Sequence, residues 1–249
     1  MRCAGIDIGS RTIELVVLRN GEIIESRQAD SGFDPLTRAK ELLMGVGHDH
    51  IMATGYGRHL FELSFDAPTV TEIKAYGVGA RMLFPNVGTI LDIGGQDSKA
   101  IALNEKGKII KFEMNDRCAA GTGKFLEIMA HALGFGLDEF GTEALMATKD
   151  LRINSMCAVF AESEVTSLVA KGENRREIAL GLHRSVVRRA VGMLKRVSCN
   201  GNILFAGGVA KNSCMCNLLQ EAIEQRIIVP GDPQVVGALG AACLAGEVR

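Results

Sequence analysis

Two stretches of this 249-residue chain, DIGSRTIELVVL (Asp7 to Leu18) and DIGGQDSKAIAL (Asp92 to Leu103), align without a gap at an offset of 85 residues. Each runs on into a Gly turn and a second strand, NGEIIES and KGKIIKF. A shared Asp-Ile-Gly, a shared hairpin and a shared continuation describe a duplicated lobe, each copy opening as strand, Gly-bearing turn, strand, turn, strand. Helical spacing follows in both halves. TEIKAYGVGARMLF predicts a helix in the first, and GTGKFLEIMAHALG one in the second, with Phe125, Met129, Ala132 and Leu133 on one face. A long helix is predicted over 176–197, with Ile178, Leu182, Val186, Ala190, Met193 and Val197 as its apolar stripe. Its Arg184, Arg188, Arg189 and Arg196 are expected on a solvated face. PQVVGALGAACLAG reads as a final, mostly buried helix. Strands and helices are mixed, so the class is α/β. The expected division is lobe I at 1–86, completed by the helix in 233–249, and lobe II at 87–232.

Composition excludes several function classes. Hydrophobic residues make up 47% of the chain and charged ones 23%, ordinary globular values. A net charge of -1 without a basic run implies no nucleic-acid partner. No apolar run reaches the length of a membrane span, and MRCAGIDIGS is not a signal peptide, so a cytoplasmic protein is expected. Seven cysteines are odd in number and too sparse for a disulfide scaffold. In a reducing compartment they read as thiols or metal ligands.

A hairpin turn carrying Gly and small hydroxyl residues can aim backbone N–H groups at a phosphate. The carboxylates of Asp7, Asp92 and Asp97 cannot bind phosphate themselves; they suit a magnesium ion, largely through its waters. FAGGVAKN places two glycines after a buried strand, where a base or ribose could lie against the backbone. One Gly turn alone is ordinary turn chemistry. Three in this order, two of them duplicated, point to a nucleotide.

The segment NDRCAAGTGKF ends like a phosphate loop. A Walker loop, however, needs Gly five residues before its Gly-Lys pair and Ser or Thr after the Lys. Those positions hold Cys118 and Phe125. Cys118 instead precedes a helix whose start is Gly-Thr-Gly, and Cys157, in SMCAVFAESEV, precedes another. Helix starts carry partial positive charge and free N–H donors, which suit a thiolate or an anionic cluster. The other reading is that each is a small core residue. A 4Fe–4S cluster wants four thiolates. Cys214 and Cys216 sit at i and i+2 of a predicted helix and point to different sides. Cys3, Cys199 and Cys243 fall in core or helix-end settings. Two ligands remain per chain, and a cluster on a dimer axis would collect four.

The three glycine motifs resemble those of the actin-like ATPase superfamily, which includes sugar kinases and actin. They correspond to phosphate-1 at Asp7 to Thr12, phosphate-2 at Asp92 to Ser98, and the adenosine motif at Ala206 to Asn212. The resemblance implies an actin-like ATPase fold: two duplicated RNase H-like lobes with ATP in the cleft. NDRCAAGTGKFLE, CAVFAESEV, DIGGQDSK, ATGYGR and PQVVGALGAA further resemble the activator ATPases of 2-hydroxyacyl-CoA dehydratases, with which the ATPase subunits of benzoyl-CoA reductase are grouped. That family implies a homodimer, or a heterodimer of like subunits, bridging one 4Fe–4S cluster through Cys118 and Cys157. It also implies electrons from ferredoxin or flavodoxin and an acyl-CoA dehydratase or reductase as acceptor. One departure is Tyr76, where many members carry His.

The implied mechanism is an ATP-gated donation of one electron. Asp7 and Asp97 would organise magnesium and its waters. Gln96 would orient the attacking water, since a neutral amide both donates and accepts. Gly9, Ser10, Arg11, Thr12, Gly94 and Gly95 would hold phosphates. Gly207, Gly208, Asn212 and Gln234 would lie near adenosine, and the resemblance puts Glu162 near the cleft. Two rivals are a small-molecule kinase of the same superfamily, and a non-enzymatic metal-binding or assembly module gated by ATP.

Overall fold

The computed structural model describes residues 1–154, 157–197 and 201–247. Cys199 lies outside them, so its expected structural role is not addressed. The chain divides into two compact units. Unit 1 comprises Met1–Ile90, Ile101–Phe112 and Pro230–Arg249; unit 2 comprises Leu91–Ala100 and Glu113–Val229.

In unit 1, β1 (Arg2–Ile8), β2 (Thr12–Arg19), β3 (Glu22–Asp30) and β4 (His50–Thr54) form a sheet of order β3-β2-β1-β4. The β1–β2 and β2–β3 pairs are antiparallel, and β1–β4 is parallel. Strands β1 and β2 are apolar on both faces because both faces are covered. Ile13, Leu15 and Val17 of β2 point into a cluster with Ile6, Ile8, Ala39, Leu42 and Phe61. Val16 and Leu18, on the opposite face, pack on Val235, Ala238, Leu239 and Ala242.

Those last residues belong to the C-terminal segment, whose helix α9 (Val236–Ala245) crosses β1, β2, β4 and α3 (Glu72–Leu83). Its Gly/Ala composition allows that close packing. A Cβ on Gly5 would collide with the α9 backbone at Ala238 and Ala242, and one on Gly240 with the carbonyl of Ala75. Two further helices complete the unit, α1 (Pro35–Leu43) and α2 (Arg58–Phe65). Helix α1 starts where Asp34 caps the N–H of Thr37 and Pro35 presets the first turn.

A second sheet has the order β7-β6-β5-β8-β9: Ile109–Asn115, Ser98–Leu103, Val87–Ile93, Asn202–Ala206 and Ile227–Ile228. Unit 2 contains α4 (Gly123–Ala132), α5 (Leu137–Leu145), α6 (Ala158–Ala170), α7 (Arg175–Val197) and α8 (Ser213–Ile223). The predicted stripe of α7 is buried at all six positions. Its arginine face is not simply solvated. Arg184 pairs with Asp150 at 2.9 Å, Arg188 donates to the carbonyl of Ile153, and Arg196 pairs with Glu113 at 2.9 Å. The half-buried Arg189 lies against Gly121. Arg184 and Arg188 reach the 150–153 loop and Arg196 reaches strand β7, while Arg188 and Arg196 remain exposed as expected. No helix among the described residues is long and apolar enough to cross a membrane.

Candidate active site

The duplication holds at atomic detail. In the first hairpin the N–H of Gly9 donates to the carbonyl of Thr12 at 3.0 Å; in the second, Gly94 donates to Asp97 at 3.0 Å. Both are two-residue tips, Ser10-Arg11 and Gly95-Gln96. Ser31 braces the first, its hydroxyl donating to the carbonyl of Gly9 and its N–H to that of Arg11. Asp7 is buried below this tip. Its carboxylate sits between Gly55 and Gly237, where a Cβ on either glycine would collide with it, and Tyr76 closes the same spot from α3. Only glycine allows the backbone so near the carboxylate.

Gln234, expected near adenosine with Gly207, Gly208 and Asn212, belongs to unit 1, and those three belong to unit 2. The Gln234 amide donates to Thr12 Oγ1 at 3.1 Å and to Glu14 Oε1 at 3.3 Å. It therefore braces the first phosphate hairpin. The buried Glu14 also accepts from Gln28 at 3.0 Å.

The second hairpin carries a residue that motif reading missed. Lys99 is 2% exposed, and its Nζ lies 3.0 Å from Asp92 Oδ2 and 2.6 Å from Asp97 Oδ2. The signal was present in the alignment, where the 85-residue offset pairs Lys99 with Glu14. Gly207, at φ +84, lies against Asp92 and the carbonyl of Ile93. It closes the base of this hairpin, while Gly208 is exposed and opens the 3₁₀ turn Gly208–Lys211.

Asn212 is committed inward. Its Oδ1 accepts from the N–H of Met215, capping α8, and its Nδ2 lies 3.0 Å from His183 Nε2. His183 Nδ1 is 2.8 Å from the carbonyl of Ala179 and must donate there, so Nε2 accepts and the ring is neutral. Burial pushes its pKa down from 6.5 to about 4. The ring also meets Phe140, at 4.6 Å between centroids. The half-buried Asn212 amide keeps a second N–H and a second lone pair beyond these two contacts.

Helix α4 begins on the second hairpin itself. The N–H groups of Gly123 and Lys124 donate to the carbonyls of Gly94 and Gly95, both at 2.8 Å. The expected free donors at this helix start are thus already engaged. Cys118 lies just upstream, in a loop held by Asn115 Nδ2 bonding to the carbonyl of Cys118 and by Thr122 bonding to that of Ala119. Cys157 is the N-cap residue of α6, and Glu162 is exposed one turn further on. Among the described cysteines only Cys118 and Cys157 are exposed. Burial pushes the Cys214 thiol up to about 12 and Cys243 to about 11, and raises Cys3 and Cys216 as well. Burial thus disfavours the thiolate form at those four. The described residues of one chain contain no group of three or more His, Cys, Asp or Glu that could hold a metal ion.

The activator of lactoyl-CoA dehydratase from Anaerotignum propionicum is 41% identical over 99% of this chain and 98% of its own length. The activator of the 2-hydroxyisocaproyl-CoA dehydratase from Clostridium difficile, solved with bound ADPNP, superposes with a TM-score of 0.91 at 36% identity, covering 99% of this chain and 95% of that one. A ROK family glucokinase from Streptomyces griseus, at 14% identity and a TM-score of 0.62 over 99% of each chain, shares the fold alone. With residues 4–245 matching, this chain belongs to the BadF/BadG/BcrA/BcrD ATPase family.

Proposed function

We propose that this protein hydrolyses ATP to deliver one low-potential electron to a 2-hydroxyacyl-CoA dehydratase or related acyl-CoA reductase. The observation that carries the reading is the presence, among the described residues, of two equivalent Gly-bearing hairpins and two exposed thiols, Cys118 and Cys157. The relatives' roles as dehydratase activators support the choice of acceptor.

Gly9, Ser10, Arg11 and Thr12 offer one tip to phosphate, and Gly94 and Gly95 the other. Gln96 orients water for in-line attack, giving ADP and phosphate. Asp7 and Asp97 hold the waters of magnesium, which when bound neutralises phosphate charge. Gly207 and Gly208 give adenosine a flat backbone to lie on, with Asn212 behind them, and Glu162 takes a nearby ribose hydroxyl.

The two thiols fit half the ligand set of a 4Fe–4S cluster, so two chains complete it. When bound, the cluster supplies a one-electron carrier, filled by ferredoxin or flavodoxin. The main-chain bonds from α4 to Gly94 and Gly95 make the Cys118 loop sensitive to the position of the second hairpin.

Anaerobic protein, separated by size, should carry four irons and four sulfides per two chains and release phosphate from ATP. Four irons on a single chain would overturn the shared cluster. A phosphorylated small molecule in place of free phosphate would favour a kinase, and ATP binding with no turnover would favour a gated assembly module.

A further inference from the structure

The two hairpins share a backbone but not a lock. In the first, Thr12 and Glu14 are fastened by the neutral amide of Gln234. At the equivalent positions of the second stand Asp97 and Lys99, and the fastening is ionic: one buried ammonium reaches both Asp92 and Asp97. Lys99 and Asp92 are buried and Asp97 half-buried beside them, and burying charge is costly unless each group is paired. The second lock therefore sets an ammonium against its carboxylates where the first sets a neutral amide against the carboxylate of Glu14.

We infer that Lys99 is a positioning residue for ATP hydrolysis, acting through Asp97 on the Gly95-Gln96 tip; this rests on the ATPase reading above. Asp97 is held at several points. Its carbonyl accepts from the N–H of Gly94, Oδ2 is on Lys99, and Oδ1 packs where a Cβ on Gly94 would be 2.8 Å away. On the other side of the tip, the carbonyls of Gly94 and Gly95 are bonded to α4. Gln96 is the exposed residue between these anchors. Releasing Asp97 frees one side of the span that carries Gln96. The ammonium also offsets the carboxylate charge that phosphate oxygens would otherwise face, so Asp97 can stand at the tip without repelling the nucleotide.

The test uses the anaerobically purified full chain, with Lys99→Met, Asp97→Asn and the double variant. Measurements are kcat and KM for ATP, and amide hydrogen exchange over the 91–98 segment. A misplaced reacting group costs about 100-fold, so each single variant should lower kcat by about that factor. KM should stay within about threefold, because neither substitution removes a backbone N–H of the tip. Residues acting as one unit are non-additive, and the double variant should be no slower than the slower single. Exchange in the 91–98 segment should quicken in Lys99→Met. Unchanged kcat in Lys99→Met, or single losses that multiply in the double variant, would overturn the inference. If Lys99→Met does not fold, Asp97→Asn decides, and wild-type kcat there overturns it equally. Absence of ATP turnover in the wild type would defeat the ATPase reading instead. The exchange arm then judges the lock alone, and unchanged protection in Lys99→Met would overturn it.

Discussion

Acid should loosen unit 2 through a single ring. His183 is fully buried, bonded at Nδ1 to Ala179 and at Nε2 to Asn212, with its pKa pushed down to about 4. In the unfolded chain it titrates near 6.5. A depressed histidine favours the unfolded state once protons are available. Its stabilising contribution is intact above about pH 6.5, falls as pH drops, and is gone below about pH 4. The gap corresponds to about 3 kcal/mol in full, of which about 2 kcal/mol is lost by about pH 5. His183→Gln removes the titration while keeping an amide to face Asn212. Urea unfolding followed by circular dichroism, at about pH 7.5 and about pH 5, should show the wild type losing about 2 kcal/mol more than the variant. Surface carboxylates titrate alike in both proteins and cancel. Equal losses would refute the reasoning, because they would mean that His183 is charged in the fold or reachable by water.

Two further outcomes concern the site. Gln96→Ala should slow ATP turnover by about 10- to 100-fold while nucleotide affinity stays within about threefold, as expected for a residue that orients water; the reverse pattern, measured by phosphate release and nucleotide titration, would make Gln96 a binding residue. Cys118→Ser and Cys157→Ser should each abolish bound iron and leave ATP binding in place, whereas Cys214→Ser and Cys216→Ser should retain it, and iron analysis giving the opposite partition would reverse the ligand assignment.

The parts of the fold read directly from the chain are those with local periodicity. The buried stripe of α7 needs only a spacing of three and four residues, and the hairpins announce themselves through Asp-Ile-Gly repeated. What escaped reading depends on distant partners. Arg184, Arg188 and Arg196 look like a polar face until Asp150, Ile153 and Glu113 are folded onto them. The bond from Asn212 to His183, on another helix, has no local signature in the sequence. Nor has the bond from Gln234 to Thr12, which needs the C-terminal segment to run back beside β2. Lys99 differs in kind: its information lies not in what the two copies share but in a position where the charge inverts, Glu14 against Lys99.

The bonds from Gly123 and Lys124 to the second hairpin run from main chain to main chain. No side chain carries them, so alanine at Lys124 leaves its bond in place, whereas alanine at Gly123 would bring a Cβ within 3.0 Å of the Gly94 carbonyl. Lys124 could drift to almost any residue with the bond intact. Proline at 124 is the natural probe, because it deletes the donor while its ring still suits a first helical turn. Sequence variation at Lys124 therefore says little about how firmly the second hairpin and the start of α4 are geared together; the gearing is written in peptide units.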